Sequence, residues 1–116
     1  MIYKVHGILK SLGLPLDHNF RPDFDSKEMV ISYHFFNEGG LKFGDGKITS
    51  FGGALQIDLF VKHSVNFIDV KKNIVRLLTN DCFILESINT TTEVVDSIGK
   101  IDHVIFKFNY MERNDT

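Results

Sequence analysis

Disulfides, membrane spans and a strong excess of charge are all missing from this sequence. Its 116 residues include a single cysteine, which rules out an internal disulfide. No apolar run approaches the roughly 20 residues of a membrane-spanning helix. Residues 1–16 do not form a signal-peptide pattern, because polar residues interrupt the apolar positions and no small-residue cleavage site follows. We therefore expect a soluble protein with no membrane partner.

The charge balance is close to neutral. The chain has 13 Lys and Arg against 15 Asp and Glu, for a net charge of −2. Domains whose main task is to neutralise nucleic-acid phosphates are usually basic, so this balance disfavours that class. The rest of the composition, 43% hydrophobic and 24% charged, is typical of a globular protein. The length predicts a single domain over 1–116.

Two helices are predicted from apolar residues at helical spacing. The first is a short helix over 2–12, ended by Gly13. The second is a central amphipathic helix that Asn66 or Ser64 could cap and that Asn80 could end in a left-handed conformation. The apolar stripe of the central helix contains Phe67, Val70, Ile74, Leu77 and Leu78.

The remaining pattern predicts a small sheet. Residues 54–62 alternate between apolar and polar side chains, as a half-buried strand does. The expected fold class is α+β: a mostly antiparallel sheet of about four strands, with the N-terminal and central helices packed on one face. The other predicted segments are an irregular crossing over 15–27, strands over 28–37, 82–89 and 102–111, a flexible glycine-rich loop over 38–53 with a short strand around 47–50, a polar turn region over 90–100 and a frayed tail over 112–116.

One short stretch suggests chemistry, because Asp58, Lys62 and His63 lie within six positions. On a regular strand, however, Asp58 and Lys62 share a face but lie about 13 Å apart. That distance is too long for an acid–base pair. We interpret the three residues as the polar surface of a strand that runs into a helix, and we predict no catalytic residue.

Metal and nucleotide sites are disfavoured by spacing. No two of the five histidines have the i, i+4 spacing of a helical metal pair, and no HExxH or Cys/His knuckle occurs. Asp23 and Asp25 begin like a calcium loop, but its glycine and closing glutamate are missing. Lys47 is followed by Ile48 instead of Ser or Thr, so the phosphate-loop pattern fails. We expect no metal and no cofactor.

Three other features favour packing or partner binding. Cys82 lies in an apolar context without a basic neighbour, which favours a buried structural thiol over a reactive thiolate. The aromatic-rich stretches 33–36 and 106–110 could stack on RNA bases, but few basic residues lie between the rings, so core packing is favoured. Phe43 and Phe51 lie in the predicted loop, where exposed rings are costly, and suggest that the loop becomes ordered against a partner.

Three segments together resemble a known family. They are YHFFN at 33–37, LQIDLFVK at 55–62 followed by the central helix, and DHVIFKFNY at 102–110. This layout is similar to the small tail terminator or tail-completion proteins (head–tail joining, minor capsid proteins) of long-tailed bacteriophages that infect Gram-positive bacteria. Such proteins commonly carry a strand of the type QIDIW-S/T-K before the central helix and a final strand of the type YHKALRFRY.

Matches and departures can both be read from the residues. Phe60 stands where the family has tryptophan, and Cys82 stands where a glycine often precedes the phenylalanine after the helix. The matching residues are Gln56, Asp58 and Lys62 in the first motif and His103, Lys107, Phe108 and Tyr110 in the second.

The resemblance implies a structural virion protein, not an enzyme. Such proteins form a ring, typically a hexamer, at the head-proximal end of the tail tube, where they end tube polymerisation and join the tail to the head connector. The implied partners are further copies of the chain, the major tail tube protein and the connector or stopper protein. DNA passes through the lumen without sequence-specific binding. The implied location is the head–tail junction of the virion, and the host cytoplasm during assembly.

The expected interface uses the sheet. A closed ring needs heterologous contacts, and strand edges and polar strand faces can supply them. We expect Asp58 and Lys62 to form inter-subunit ion pairs. The predicted interface residues are Gln56, Asp58, Phe60, Lys62, Phe43, Asp45, Lys47 and Phe51. Two alternatives stay open: another connector component, such as an adaptor or stopper, and a small-ligand-binding or enzymatic α+β domain with a pocket between sheet and helix.

Overall fold

The computed structural model describes residues 2–24, 27–44, 47–96 and 98–113, with the backbone alone over 38–44, 47–51 and 112–113. In this part of the chain, no helix has the length and apolar character to cross a membrane. The elements in chain order are α1 (Ile2–Lys10), β1 (Leu16–His18), β2 (Met29–Gly44), β3 (Lys47–Lys62), α2 (Ile68–Asn80), β4 (Ile84–Val95) and β5 (Gly99–Arg113).

The strands form one sheet of five strands in the order β1-β2-β3-β5-β4. β1 pairs in parallel with β2, and the other neighbours pair antiparallel. The predicted α+β class is confirmed, and the sheet is mixed, with one strand more than expected. The extra strand, β1, lies inside the segment 15–27 that was predicted to be irregular. Three residues at a sheet edge are too few for alternation to be recognised.

The main core lies between the two helices and one face of the sheet, which we call the inner face. The alternation predicted for 54–62 is confirmed, because Leu55, Ile57, Leu59 and Val61 are fully buried. The helices contribute buried residues one turn apart, as amphipathic helices do. The helix residues buried in this core are Val5 and Leu9 of α1 and Ile74 and Leu78 of α2.

The predicted N-terminal helix is confirmed as α1, which is fastened to the sheet by a hydrogen bond. The Tyr33 hydroxyl lies 2.9 Å from Nδ1 of His6, so a side-chain hydrogen bond links β2 to α1. Burial, and then the charge of Asp17, raise the pKa of Tyr33. The phenol therefore stays neutral and keeps this bond well above neutral pH.

The predicted caps of α2 are wrong in position, because Phe67, one residue after Asn66, is the N-cap residue and makes no side-chain capping bond. Oδ1 of Asn66 accepts the backbone N–H of Ile68 at 3.0 Å, which satisfies one of the free donors of the first turn. At the other end it is Cys82, with φ of 68°, that takes the left-handed conformation, so the prediction for Asn80 is wrong.

Cys82 ends α2 in a hydrogen-bonded Schellman motif. The Phe83 N–H donates to the Leu78 carbonyl at 3.0 Å, and the Cys82 N–H donates to the Thr79 carbonyl at 3.2 Å. Phe83 and Leu78 then pack in the same core. Because the turn directs Phe83 inward, Cys82 is left exposed, and the prediction of a buried thiol is wrong.

The glycine-rich segment 38–53 is paired, where a loop was predicted. β2 and β3 continue through it as an antiparallel hairpin in which Gly39 pairs with Gly52 and Gly44 with Lys47. Register shifts after Phe36 interrupt the alternation of β2, which explains why the sequence pattern does not reveal a strand. The hairpin lengthens the molecule, which measures 55 × 24 × 21 Å.

The last two strands are longer than predicted. β4 runs on to Val95 through residues 90–95, where a polar turn was predicted, because its threonines favour extended structure as well as loops. β5 spans Gly99–Arg113 and so includes residues 112–113 of the tail predicted to fray. Residues 114–116 lie outside the described residues.

Candidate functional surfaces

The sheet face opposite the helices, which we call the outer face, carries the polar residues of β3. Pairing aligns Asp58 of β3 with Ser32 of β2 and Ile105 of β5. Phe60, two residues after Asp58 on β3, lies opposite His103 of β5. The polar face predicted for β3 is therefore present. Its polar side chains lie beside residues of the neighbouring strands of the same chain.

Asp58 is bound within its own chain. Its side chain receives the Gln56 Nε2–H at 3.0 Å and lies 2.7 Å from Nε2 of His103, both measured to Oδ1. Nδ1 of His34 lies 3.9 Å from the other carboxylate oxygen. Only 6% of Asp58 is exposed. A neighbouring subunit therefore cannot reach this carboxylate in the way that an inter-subunit ion pair would require.

His103 links three strands. Its Nε2 contacts Asp58 of β3, and its Nδ1 lies 2.7 Å from Oε1 of Glu93 in β4. The Phe60 ring stacks on the imidazole, with ring centroids 4.3 Å apart and planes 23° from parallel. Hydrogen bonding to Asp58 raises the pKa of His103, burial opposes the rise, and Glu93 adds to it. The imidazolium donates from both ring nitrogens, one to each carboxylate.

The contacts of His103 fit a structural cross-link between strands better than the role of a catalytic base. A general base must offer a free nitrogen to the proton that it abstracts, and both nitrogens of His103 are occupied by carboxylates. The bridge instead joins β3, β5 and β4 by charge-assisted hydrogen bonds under partial burial, where such bonds are strong. We therefore assign Asp58, His103 and Glu93 a structural role on the outer face.

The suggested grouping of Asp58, Lys62 and His63 does not occur. Lys62 extends away, with Nζ 5.7 Å from the ring centroid of Phe24. His63 has Nδ1 3.7 Å from Oδ1 of Asp102. The three side chains thus contact three different partners.

A small second core covers one end of the outer face. Phe24 is 4% exposed and packs with Val30 and Ile101. The Arg21 guanidinium lies 5.3 Å from the centroid of the Phe24 ring and 5.7 Å from that of Phe60. The segment after β1 is therefore held against the sheet by apolar and cation–π contacts.

The predicted interface residues divide into two groups. Gln56, Phe60 and Lys62 lie on the outer face and are partly exposed. Phe43, Lys47 and Phe51 lie in the β2–β3 hairpin, and their side chains, like Asp45, lie outside the described residues.

A mainly apolar groove lies between α2 and β4, with a volume of about 480 Å³. Its floor contains Val75 and Ile88, and Ile68 at one end is 54% exposed. We call Lys71, Lys72 and Arg76 its basic rim. Each is on α2, and Arg76 also donates to Oδ1 of Asn73 at 3.1 Å.

β4 itself is an edge strand. Among the described residues it pairs with β5 alone, over a span of twelve residues. Ile84 and Val94, near its two ends, are 68% and 74% exposed. A long edge with exposed apolar side chains is a surface on which another chain can pair or pack.

A second depression lies on the outer face at the hairpin end, with a volume of about 450 Å³. Its lining includes Lys107 and Glu86, of opposite charge, together with Asn109 and Phe36. Because it lies away from the helices, it is not the pocket between sheet and helix that a ligand-binding domain would use.

Sequence reasoning missed the roles of Glu93 and Arg21. Glu93 fell in a predicted turn, although the pairing of Thr91 with His103 brings it beside β5. His103 was identified through the resemblance but not as the partner of Asp58. A histidine and an acid on facing strands are a signal only once the register is known.

Within the described ranges, no three His, Cys, Asp or Glu side chains form a group that could hold a metal ion. The sequence matches no protein-family model and no curated protein.

Proposed function

We propose that this protein is a structural assembly protein that forms a ring at the head-proximal end of a phage tail tube. There it ends tube polymerisation and joins the tail to the head connector. The proposal rests on the resemblance of three segments, at 33–37, 55–62 and 102–110, to tail terminator proteins. Its partners are further copies of the chain, the tail tube protein and the connector.

The β2–β3 hairpin is the observation that carries this proposal. Two strands of 16 residues reach well past the three-residue β1, so among the described residues the far part of β2 pairs with β3 alone. β5 accompanies β3 as far as Ser50, which leaves a two-stranded tip of residues 43–44 and 47–48. A two-stranded tip has little stability of its own in water. It gains stability by packing on another subunit or on the tube, which is the use an assembly protein would make of it.

The open edges of the sheet support the same function. β4 leaves one edge unpaired over twelve residues, and the far part of β2 leaves part of the other. Different surfaces at opposite edges suit the heterologous contacts of a ring. The partly buried Asp58–His103–Glu93 bridge ties β3, β5 and β4 together on the outer face.

The test is the phenotype of a phage that carries this gene with a stop codon early in the reading frame. A tail terminator predicts tails of abnormal, variable length that do not join to heads. Joining failure with tails of normal length would indicate an adaptor or stopper instead. Normal virions would contradict any role in the head–tail junction. Supplying the wild-type gene in trans should restore infectious particles.

A further inference from the structure

Phe20 projects from the segment that follows β1. Its side chain is 71% exposed, an uncommon state for a large aromatic residue in a folded domain. The neighbouring Arg21 turns its guanidinium towards the Phe24 ring, 5.3 Å from the centroid. The acidic residues closest to Phe20 in sequence are Asp17 and Asp23, and both are exposed. The segment thus presents an exposed apolar ring, with an exposed acidic residue three positions before it and another three positions after it in the sequence.

The α2–β4 groove has the opposite chemistry. Its floor is apolar, and its lining contains the three cations of the basic rim and no acidic residue among the described ones. No carboxylate lies within ion-pair distance of the rim in the described part of the chain. An apolar anchor flanked by carboxylates is the ligand that such a groove fits.

These two surfaces lie at opposite edges of the sheet. Phe20 follows β1, the edge strand on one side, and the groove lies beside β4, the edge strand on the other. Four strand spacings separate the edges by roughly 19 Å. Each copy can therefore present Phe20 to one neighbour and its groove to another. Repeating that heterologous contact closes a ring when the rotation between copies divides a full turn.

We propose that Phe20 of one copy inserts into the α2–β4 groove of the next copy, with Asp17 and Asp23 beside its basic rim. The occupant of the groove is thus a second copy of this chain, and the inference rests on the proposed ring. An aromatic anchor in an apolar pocket, enclosed by charged pairs that exclude water, is the usual anatomy of an interface hot spot.

Two single variants and their mixture test the contact. Phe20→Glu removes the anchor, and Ile68→Glu places a charge in the groove at a first-turn position of α2, where an acid is tolerated. Each variant alone should weaken self-association about tenfold or more and be monomeric in native mass spectrometry at concentrations where the wild type assembles. Mixed together, they should form a dimer and nothing larger, because one supplies an intact groove and the other an intact Phe20.

A matched control changes an exposed apolar residue elsewhere. Tyr3→Glu in α1 alters a side chain that is 92% exposed, and this variant should assemble like the wild type. Circular dichroism melting should give Phe20→Glu, Ile68→Glu and Tyr3→Glu a wild-type transition, so that loss of assembly is not loss of folding. A charge exchange adds a second readout: Asp23→Lys and Lys72→Glu should each weaken assembly, and the double variant should recover part of it.

The outcomes separate this contact from the proposed function. Wild-type rings formed by both Phe20→Glu and Ile68→Glu would overturn the contact and leave the ring function standing. Loss of rings in both variants without a dimer in the mixture would also overturn it, since the two surfaces would then not meet each other. A wild-type protein that is monomeric at every concentration and on tail tubes would contradict the ring function itself.

Discussion

At the scale of single residues, the Asp58 carboxylate holds the outer face together. It accepts hydrogen bonds from Gln56 and His103, and His103 passes the connection on to Glu93. Asp58→Ala would leave the Gln56 amide and one His103 nitrogen without their partner in a partly buried place. We expect a loss of about 1–3 kcal/mol in the free energy of unfolding, measured by urea denaturation.

The control for that measurement is Asp96→Ala. Asp96 is an exposed residue that follows β4, and surface substitutions of this kind usually change stability by about 0.5 kcal/mol or less. Equal stabilities of the Asp58 and Asp96 variants would show that the bridge contributes nothing to the fold.

The same bridge makes stability depend on pH. Because the pKa of His103 is raised in the folded protein, its stabilisation is fully present below the unfolded value of about 6.5. It is lost as pH rises through the higher folded value. We therefore expect the free energy of unfolding to fall as pH rises above about 6.5. His103→Gln should remove this part of the dependence, since glutamine carries no titratable group to donate to Asp58 and Glu93.

His63→Gln is the matched histidine control. His63 is half exposed, and its nearest carboxylate oxygen, on Asp102, is 3.7 Å away. The wild-type slope should survive this substitution. A wild-type protein whose stability rises over the same pH range, measured with the same denaturant, would contradict the raised pKa of His103.

Which residues meet in this bridge could not be read from the sequence. Alternation on β3 correctly put Leu55 inward and Asp58 on the outer face. It could not say which acid or base would lie across from Asp58, because a partner is set by register between strands far apart in the chain. Asp58 and His103 are 45 residues apart in the sequence, and the pairing of β3 with β5 brings them together.

At the scale of elements, the end of α2 carries a residue in a strained conformation. Cys82 has φ of 68°, and a left-handed conformation costs a side chain with Cβ about 1–2 kcal/mol. Glycine avoids that cost but loses about 0.5–1 kcal/mol through its freer unfolded chain. Cys82→Gly should therefore stabilise the protein by about 0.5–1 kcal/mol in thermal or urea unfolding.

Cys82→Ala separates the backbone effect from loss of the thiol. Alanine keeps Cβ and hence the strain, so its stability should stay close to that of the wild type. A glycine variant no more stable than the alanine variant would contradict the assignment of strain at this turn.

The β2–β3 hairpin is the element whose assembly role can be tested by shortening. Replacing residues 40–51 by Asn-Gly gives a tight hairpin turn and keeps the described core residues of β2 and β3, which all lie outside that range. We expect a melting temperature close to the wild-type value, because the core is unchanged. Rings should no longer form, since the projecting arm is missing. Native mass spectrometry of the variant gives the result, and rings of wild-type size would exclude the arm from assembly.

Helices and strands were predicted correctly from the sequence where a single hydrophobic period, helical or alternating, continues through the element. The stripe that includes Ile74 and Leu78 predicts α2, and the alternation over 54–62 predicts the inner part of β3. Prediction failed in the glycine-rich hairpin and in the threonine-rich half of β4. In the hairpin the register shifts break the period, and in β4 most side chains are exposed, so polarity does not alternate.

At the scale of the whole molecule, a rigid centre is combined with open sheet edges. The two helices cover the inner face, while the Asp58–His103–Glu93 bridge and the core around Phe24 fix the outer face. The unpaired side of β4, the α2–β4 groove and the hairpin then lie at the periphery. Sequence alone predicted the fold class, but the edges and the groove depend on strand order, which the sequence pattern does not contain.

The oligomeric state of the purified chain tests the central claim most directly. Native mass spectrometry over a wide range of concentrations, with negative-stain images of the same samples, should give one closed ring. Its mass should be a whole multiple of the 13.3 kDa subunit, and the images should show an open centre. A chain that stays monomeric at every concentration, and also when mixed with tail tubes, would contradict the account.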